Sequence, residues 1–181
     1  MATPQEITVP KTKPATEWVN GRALQKVSPQ ERHAVAQGAV AEALRAWARA
    51  TRYGRVGTEW EFRVTPPHEV TRPLVPDMAF LSYQRLGYDQ SDAAQIPYMA
   101  PDVAVEVVSP DDRRSDIDEK IRVYLAAGAT LVLYVDPANQ TFTAYDAQGT
   151  HRYGRNETFT HRALPRFSVK VASIFEIPKP E

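Results

Sequence analysis

The chain has 181 residues, 43% of them hydrophobic, which suits one domain with a substantial core and excludes disorder throughout. Twenty-two basic and 22 acidic residues leave no net charge, which argues against coating nucleic acid through bulk electrostatics but leaves room for a local basic surface. The absence of cysteine excludes disulfides, thiolate catalysis and cysteine-bound zinc. Histidines at 33, 68, 151 and 161 match no compact zinc motif, so any metal is expected to be a hard cation held by carboxylates. No apolar stretch approaches the roughly 20 residues that span a bilayer, and the N-terminus has no apolar signal core. The expectation is a cytoplasmic protein with no membrane partner.

Residues 1–16, punctuated by Pro4, Pro10 and Pro14, read as a flexible arm ahead of a single domain over 17–176, with a flexible tail at 177–181. Glu17-Trp18-Val19-Asn20-Gly21 predicts a turn or short hairpin. Ser28, Pro29 and Glu31 then spell an S-x-x-E start for a helix from about 29 to 51. At about 100° per residue, Ala36, Val40, Leu44 and Trp47 share one face and Arg45, Arg49 and Arg52 the opposite one. The arginines are either a solvated face or a stripe for phosphate. His33 and Gln37 fall toward the apolar side, where His33 is either a packed histidine or part of a site.

After Tyr53-Gly54 the period changes to two. Trp60, Phe62 and Val64 alternate with Glu59, Glu61 and Arg63, predicting a strand with one buried face. Pro66-Pro67 and Pro73 lead to a second strand, Leu74 to Leu81, carrying Asp77. A polar loop from about 82 to 97 precedes Val103 to Val108, an apolar run that suits the centre of a sheet. Turn and cap residues Ser109 to Asp112 open a helix from about 113 to 127, ended by Gly128. Leu131 to Val135 is a fourth strand, and Thr141 to Tyr145, His151 to Tyr153 and Phe167 to Phe175 are expected as further strands and hairpins.

Glu106 is the residue that most needs an explanation, because an acid in so apolar a strand is costly unless paired, protonated or bound to metal. Arg113, Arg114 and Lys120 are the basic partners within reach of a strand, turn and returning helix. Asp77, Ala79 and Leu81 share one face of their strand, and Ala104, Glu106 and Val108 one face of the next. Two acids and a lysine therefore have a route to one edge of a sheet.

The segments Pro76-Asp77-Met78-Ala79-Phe80 and Pro101 to Pro110, the helix with Lys120, Tyr124 and Gly128, and Leu131 to Pro137 together resemble the Uma2 family of endonucleases, within the PD-(D/E)xK superfamily. The likeness runs from about Glu17 to Phe175. It implies an α/β (α+β) fold with a restriction endonuclease-like core, a mixed β-sheet flanked by helices and extra β-hairpins. It also implies that Asp77 and Glu106 are the two motif acids, with the usual lysine absent at Val108 and displaced to Lys120. Glu59 is similar to an acid those proteins place on the preceding strand, although Glu61 shares its face.

The chemistry so implied is metal-dependent hydrolysis of DNA. Asp77, Glu106 and the carbonyl of Val107 would hold Mg²⁺ or Mn²⁺, and Lys120 would orient water or neutralise developing charge. Glu59, His33 and Tyr124 are supporting candidates, and Arg45, Arg49 and Arg52 candidate DNA contacts. Asp102 is a decoy for the motif, expected to cap the strand entrance. A homodimer is compatible with making two nicks in a duplex. Two other readings stand beside the nuclease: a nucleic-acid or protein-binding module that keeps the fold without catalysis, and a structural domain whose acids are merely ion-paired.

Overall fold

The computed structural model describes residues 6–180; residues 1–5 of the expected arm and Glu181 of the expected tail lie outside them. Strands β1 (Thr16–Val19) and β2 (Arg22–Gln25) form a hairpin around Asn20-Gly21. Both turn residues have positive φ, 48° and 73°, which Asn-Gly tolerates and which matches the twist of the flanking strands. Next come α1 (Glu31–Thr51), β3 (Gly54–Thr58), β4 (Phe62–Val64), β5 (Arg72–Leu74) and β6 (Met78–Ser82). Strand β7 (Val103–Val107), α2 (Arg114–Ala126) and β8 (Leu131–Asp136) form a β-α-β unit. The chain ends with β9 (Thr141–Asp146), β10 (Gly149–Tyr153), β11 (Thr158–Phe159), β12 (Val169–Lys170) and a 3-10 turn, Val171–Ile174.

Six strands in the order β10-β9-β8-β7-β6-β3 make one mixed sheet in which β7 and β8 run parallel and the other pairs antiparallel. This is the expected α+β architecture, with β1-β2, β4-β5 and β11-β12 as added ribbons. Alternation along the strands divides the core in two. Met78, Phe80, Val105 and Leu133 face α1 and the C-terminal segment; Ala79, Leu81, Ala104 and Val132 face α2 and the ribbons β1-β2 and β4-β5. The α1 side is aromatic: Trp47 meets Phe80 edge-on at 4.9 Å between centroids and donates its indole N–H to Pro165 O at 2.8 Å. No helix among the described residues is long and apolar enough to cross a membrane.

The structure redraws several expected boundaries. Helix α1 begins at Glu31, with Gln30 as its cap and no side-chain cap bond, so the Ser28 capping box does not form. The preceding chain is tied down at Lys26 instead: its N–H donates to Ala15 O, and its ammonium is bonded to Val75 O and Asp77. The strand expected from 59 to 64 is shorter and lies outside the main sheet, because Glu59 takes a left-handed φ of 50° that turns the chain between β3 and β4. Strand β3, hidden in the glycine-rich Gly54 to Thr58, takes the sheet edge. A Cβ on Gly54 would collide with the Leu81 carbonyl oxygen, so only glycine permits this approach to β6. The stretch 74–81 divides into β5 and β6, and 167–175 holds only the two-residue β12 ahead of the 3-10 helix.

Candidate active site

Strands β6 and β7 pair with Met78 opposite Val105, so one step further the ladder sets Asp77 against Glu106. Asp77 is 2% exposed and Glu106 8%, a depth at which unpaired carboxylates are not tolerated. Helix α2 returns over β7 and brings Lys120 Nζ to 2.6 Å from Glu106 Oε2, the partner chosen among the three basic residues the sequence offered. Tyr124, one turn further along α2 and fully buried, donates its hydroxyl to Glu106 Oε1 at 3.3 Å. Val107 N–H donates to Asp77 Oδ2 at 2.7 Å, which ties the two acids into one unit.

Two members of the cluster were not identified from the sequence, and both come from the N-terminal hairpin. Glu17, 2% exposed, accepts from Lys120 at 3.0 Å and from the Val75 N–H at 2.9 Å. Lys26, just past β2, places Nζ at 2.5 Å from Asp77 Oδ1. A period-two reading of β1 puts Glu17 on the same side as buried Val19, directly ahead of the Asn-Gly turn, and that was the signal the sequence held. For Lys26 the local sequence carries no signal, since its partner is 51 residues away. The hairpin is fastened to α2 by Asp116, which accepts from Asn20 at 2.8 Å and Arg22 at 2.6 Å.

The remaining candidates divide. His33 Nδ1 is within 2.9 Å of Ser109 Oγ and its Nε2 is 3.8 Å from Asp77 Oδ2, so it borders the cluster while bonded elsewhere. Glu59 sits at the mouth, 3.4 Å from Lys26 and 3.0 Å from Gln37, while Glu61 turns away to Arg63. Asp102 is remote from this cluster: it accepts the Ser82 N–H at 2.7 Å and its carbonyl takes the N–H groups of Thr130 and Leu131. Arg45, Arg49 and Arg52 lie outside the cluster, exposed on α1 beside edge strand β3. They line shallow grooves along that edge with Thr58, Tyr83 and Tyr88, and Gln37 lines both this surface and the cleft above the acids.

With all five groups ionised, Glu17, Asp77 and Glu106 against Lys26 and Lys120 would leave one negative charge in excess. Burial accordingly pushes the Glu106 carboxyl up to about 8, with Asp77 and Glu17 adding to the push and Lys120 opposing it. Burial also opposes the charge on Asp77, but Lys26, Lys120 and the Val107 N–H outweigh it and hold that carboxyl below its usual value. Both lysines stay above their ordinary value despite burial, Lys120 through Glu106 and Glu17, and Lys26 through Asp77 and Glu106.

The cluster lines a cleft of about 520 Å³ together with Leu24, Val27 and Pro29. Its donors are carboxylate and carbonyl oxygens, the ligand chemistry of Mg²⁺ and Mn²⁺, and its charge imbalance favours a further cation. The donor types therefore fit such an ion. Among the described residues, however, no three His, Asp or Glu side chains converge on an ion-sized position. The two ammonium groups stand between the acids instead.

Comparison with known proteins adds three findings. The family model Uma2, described as "Putative restriction endonuclease", matches residues 5–172. A solved structure described as a putative nuclease belonging to DUF820 from Anabaena variabilis ATCC 29413 is similar with a TM-score of 0.81 and 23% identity, over 92% of this chain and 93% of that one. No curated protein matches.

Proposed function

The chain belongs to the Uma2 family, and on that premise we propose that it is a metal-dependent DNA endonuclease whose site is Asp77, Glu106 and Lys120. The observation that carries this reading is the convergence of Lys120 on Glu106 at 2.6 Å, beside Asp77, from a helix position where the local pattern gives no reason for a buried lysine. Asp77 and Glu106, with the Val107 carbonyl, are the residues that would hold Mg²⁺ or Mn²⁺. An ion held there would supply the acidification of water and the stabilisation of charge on the phosphate. Lys120 orients that water or neutralises the charge that develops as the phosphodiester breaks. Tyr124 fixes the rotamer of Glu106 through its hydroxyl, and Glu17 holds Lys120 in place from the far side. His33 and Glu59 flank the mouth, where the substrate phosphate would enter.

DNA reaches this site, in our reading, along α1. From Gln37 to Arg52 the helix rises about 22 Å, and its exposed arginines recur about once per turn beside Tyr83 and Tyr88. Cutting both strands of a duplex favours two sites, so a homodimer belongs to the proposal.

Incubating the protein with supercoiled plasmid and Mg²⁺, Mn²⁺ or chelator tests the reading. Nicking that needs metal and disappears in Asp77→Ala is the expected result. Nicking unaffected by chelator, or none with either metal, overturns it. The lysine-filled arrangement of the carboxylates favours a second reading, a DNA-binding module without catalysis. That reading requires metal-independent binding and no cleavage.

A further inference from the structure

Two lysines enter the acid cluster, and the proposed hydrolysis uses one of them. Lys120 arrives from α2 between Glu106 and Glu17. Lys26 arrives from the hairpin, and its Nζ lies against Asp77 Oδ1 at 2.5 Å, on an oxygen that a cation-binding aspartate would give to the ion. We propose that Lys26 is a built-in occupant of the cation position, an ammonium that closes the Asp77 side of the site until a divalent metal displaces it. The inference rests on the metal-dependent reading above and specifies how that site is regulated.

The charge balance supports displacement over coexistence. Three carboxylates, both ammonium groups and a divalent ion would carry one positive charge in excess at a buried site. The same three carboxylates with Lys120 and a divalent ion balance to zero. Lys26 is the lysine that leaves: its ammonium also donates to Val75 O, but the segment that carries it is irregular and one of its acidic partners faces solvent. It stands on a segment between β2 and α1 without regular structure, next to Val27, which is 53% exposed. The carboxylate of Glu59, half-exposed at the cleft mouth, lies 3.4 Å from its ammonium and offers a second partner on the solvent side. Lys120, by contrast, stands on α2 between two buried acids.

The competition is between two cations for one carboxylate, so removing the ammonium should tighten metal binding whether or not cleavage follows. The test is Mn²⁺ titration followed by water-proton relaxation, on the full chain as parent, Lys26→Met, Lys26→Gln and the double variant Lys26→Met/Asp77→Asn. Both single variants should bind Mn²⁺ at least 10-fold more tightly than the parent, and the double variant should lose the gain. Equal affinity in parent and single variants overturns the displacement while leaving a metal site. Absence of Mn²⁺ binding in all four overturns both the displacement and the metal-dependent reading. A parallel thermal melt in chelator and in Mn²⁺ covers variants that fold poorly. Stability restored by Mn²⁺ supports displacement, and loss of fold that Mn²⁺ does not restore makes Lys26 a structural ion pair and overturns it.

Discussion

The β7-α2 unit and the β1-β2 hairpin each deliver one acid and one lysine to the same cleft, yet they do so by opposite means. In the first, a buried central strand and the helix that returns over it set Glu106 and Lys120 together within a single connection. In the second, a ribbon of two four-residue strands reaches across the fold, so that Glu17 meets Lys120 at 103 residues' separation and Lys26 meets Asp77 at 51. The hairpin's acid and lysine each bind a partner from outside the hairpin. In the reading proposed above, a permanent site and a removable cover are coupled through these shared charges, and variants on either side separate them.

The largest expected effect is at Asp77, where both units meet. Asp77→Ala should reduce metal-dependent nicking to background and also destabilise the fold. It removes the buried carboxylate that pairs with Lys26 and accepts the Val107 N–H, leaving the ammonium only Val75 O and the half-exposed Glu59, a loss of up to about 3–5 kcal/mol for a broken buried pair. Glu106→Gln should abolish nicking with little loss of stability, because it removes the charge that the cluster leaves unbalanced. Chemical denaturation of the two variants checks the contrast. Equal destabilisation would mean that the acids are not divided between cover and site as described.

Lys120→Met should slow cleavage by roughly 10²-fold, the scale of losing a positioned charge stabiliser, while metal still binds. Single-turnover nicking at saturating Mn²⁺ measures this. An unchanged rate would leave Lys120 as an ion-pair partner alone.

Glu106 gives a smaller effect with a definite sign. Its folded value, about 8, lies above the ordinary 4.5, so the native state holds a proton that the unfolded chain has released between those values. The stability this group contributes is complete below about pH 4.5 and is lost as the pH rises through about 8. In chelator the melting temperature should fall as the pH rises from the ordinary carboxylate range through about 8, and Glu106→Gln should flatten that fall. A melting temperature that does not decline in the parent would place the carboxylate fully within the Lys120 pair.

Asp77, Glu106 and Lys120 of the candidate site were legible in the sequence and Glu17 and Lys26 were not, for a physical reason. Glu106 stands out because an acid in a continuously apolar strand conflicts with its surroundings, and the turn after Ser109 limits where the next helix can go. Glu17 and Lys26 stand in short strands and loops where charge is ordinary, so their burial follows from the tertiary fold. The same limit explains the boundaries that moved. The alternation from Glu59 to Val64 is real, but a left-handed residue at Glu59 transfers it from the main sheet to a ribbon, and periodicity does not register that turn. Gly54 to Thr58 lacks the apolar pattern of a strand because it lies at the sheet edge.

The arginine stripe belongs to neither unit and is expected to have the smallest effect on the site itself. Arg45, Arg49 and Arg52 are exposed along α1 and its C-terminal cap, Gln37 lines both the groove beside them and the cleft, and in the proposed reading they would serve binding without touching the reacting groups. Changing all three to Gln should weaken binding of every DNA sequence similarly and leave the rate at saturating DNA near that of the parent. For every phosphate that an arginine no longer neutralises, the slope of log affinity against log salt should become shallower by about 0.9. A salt titration of binding by fluorescence anisotropy reads this directly. Coincident parent and variant curves would assign the stripe to solvent and require DNA to approach over the hairpin, the side that Lys26 closes.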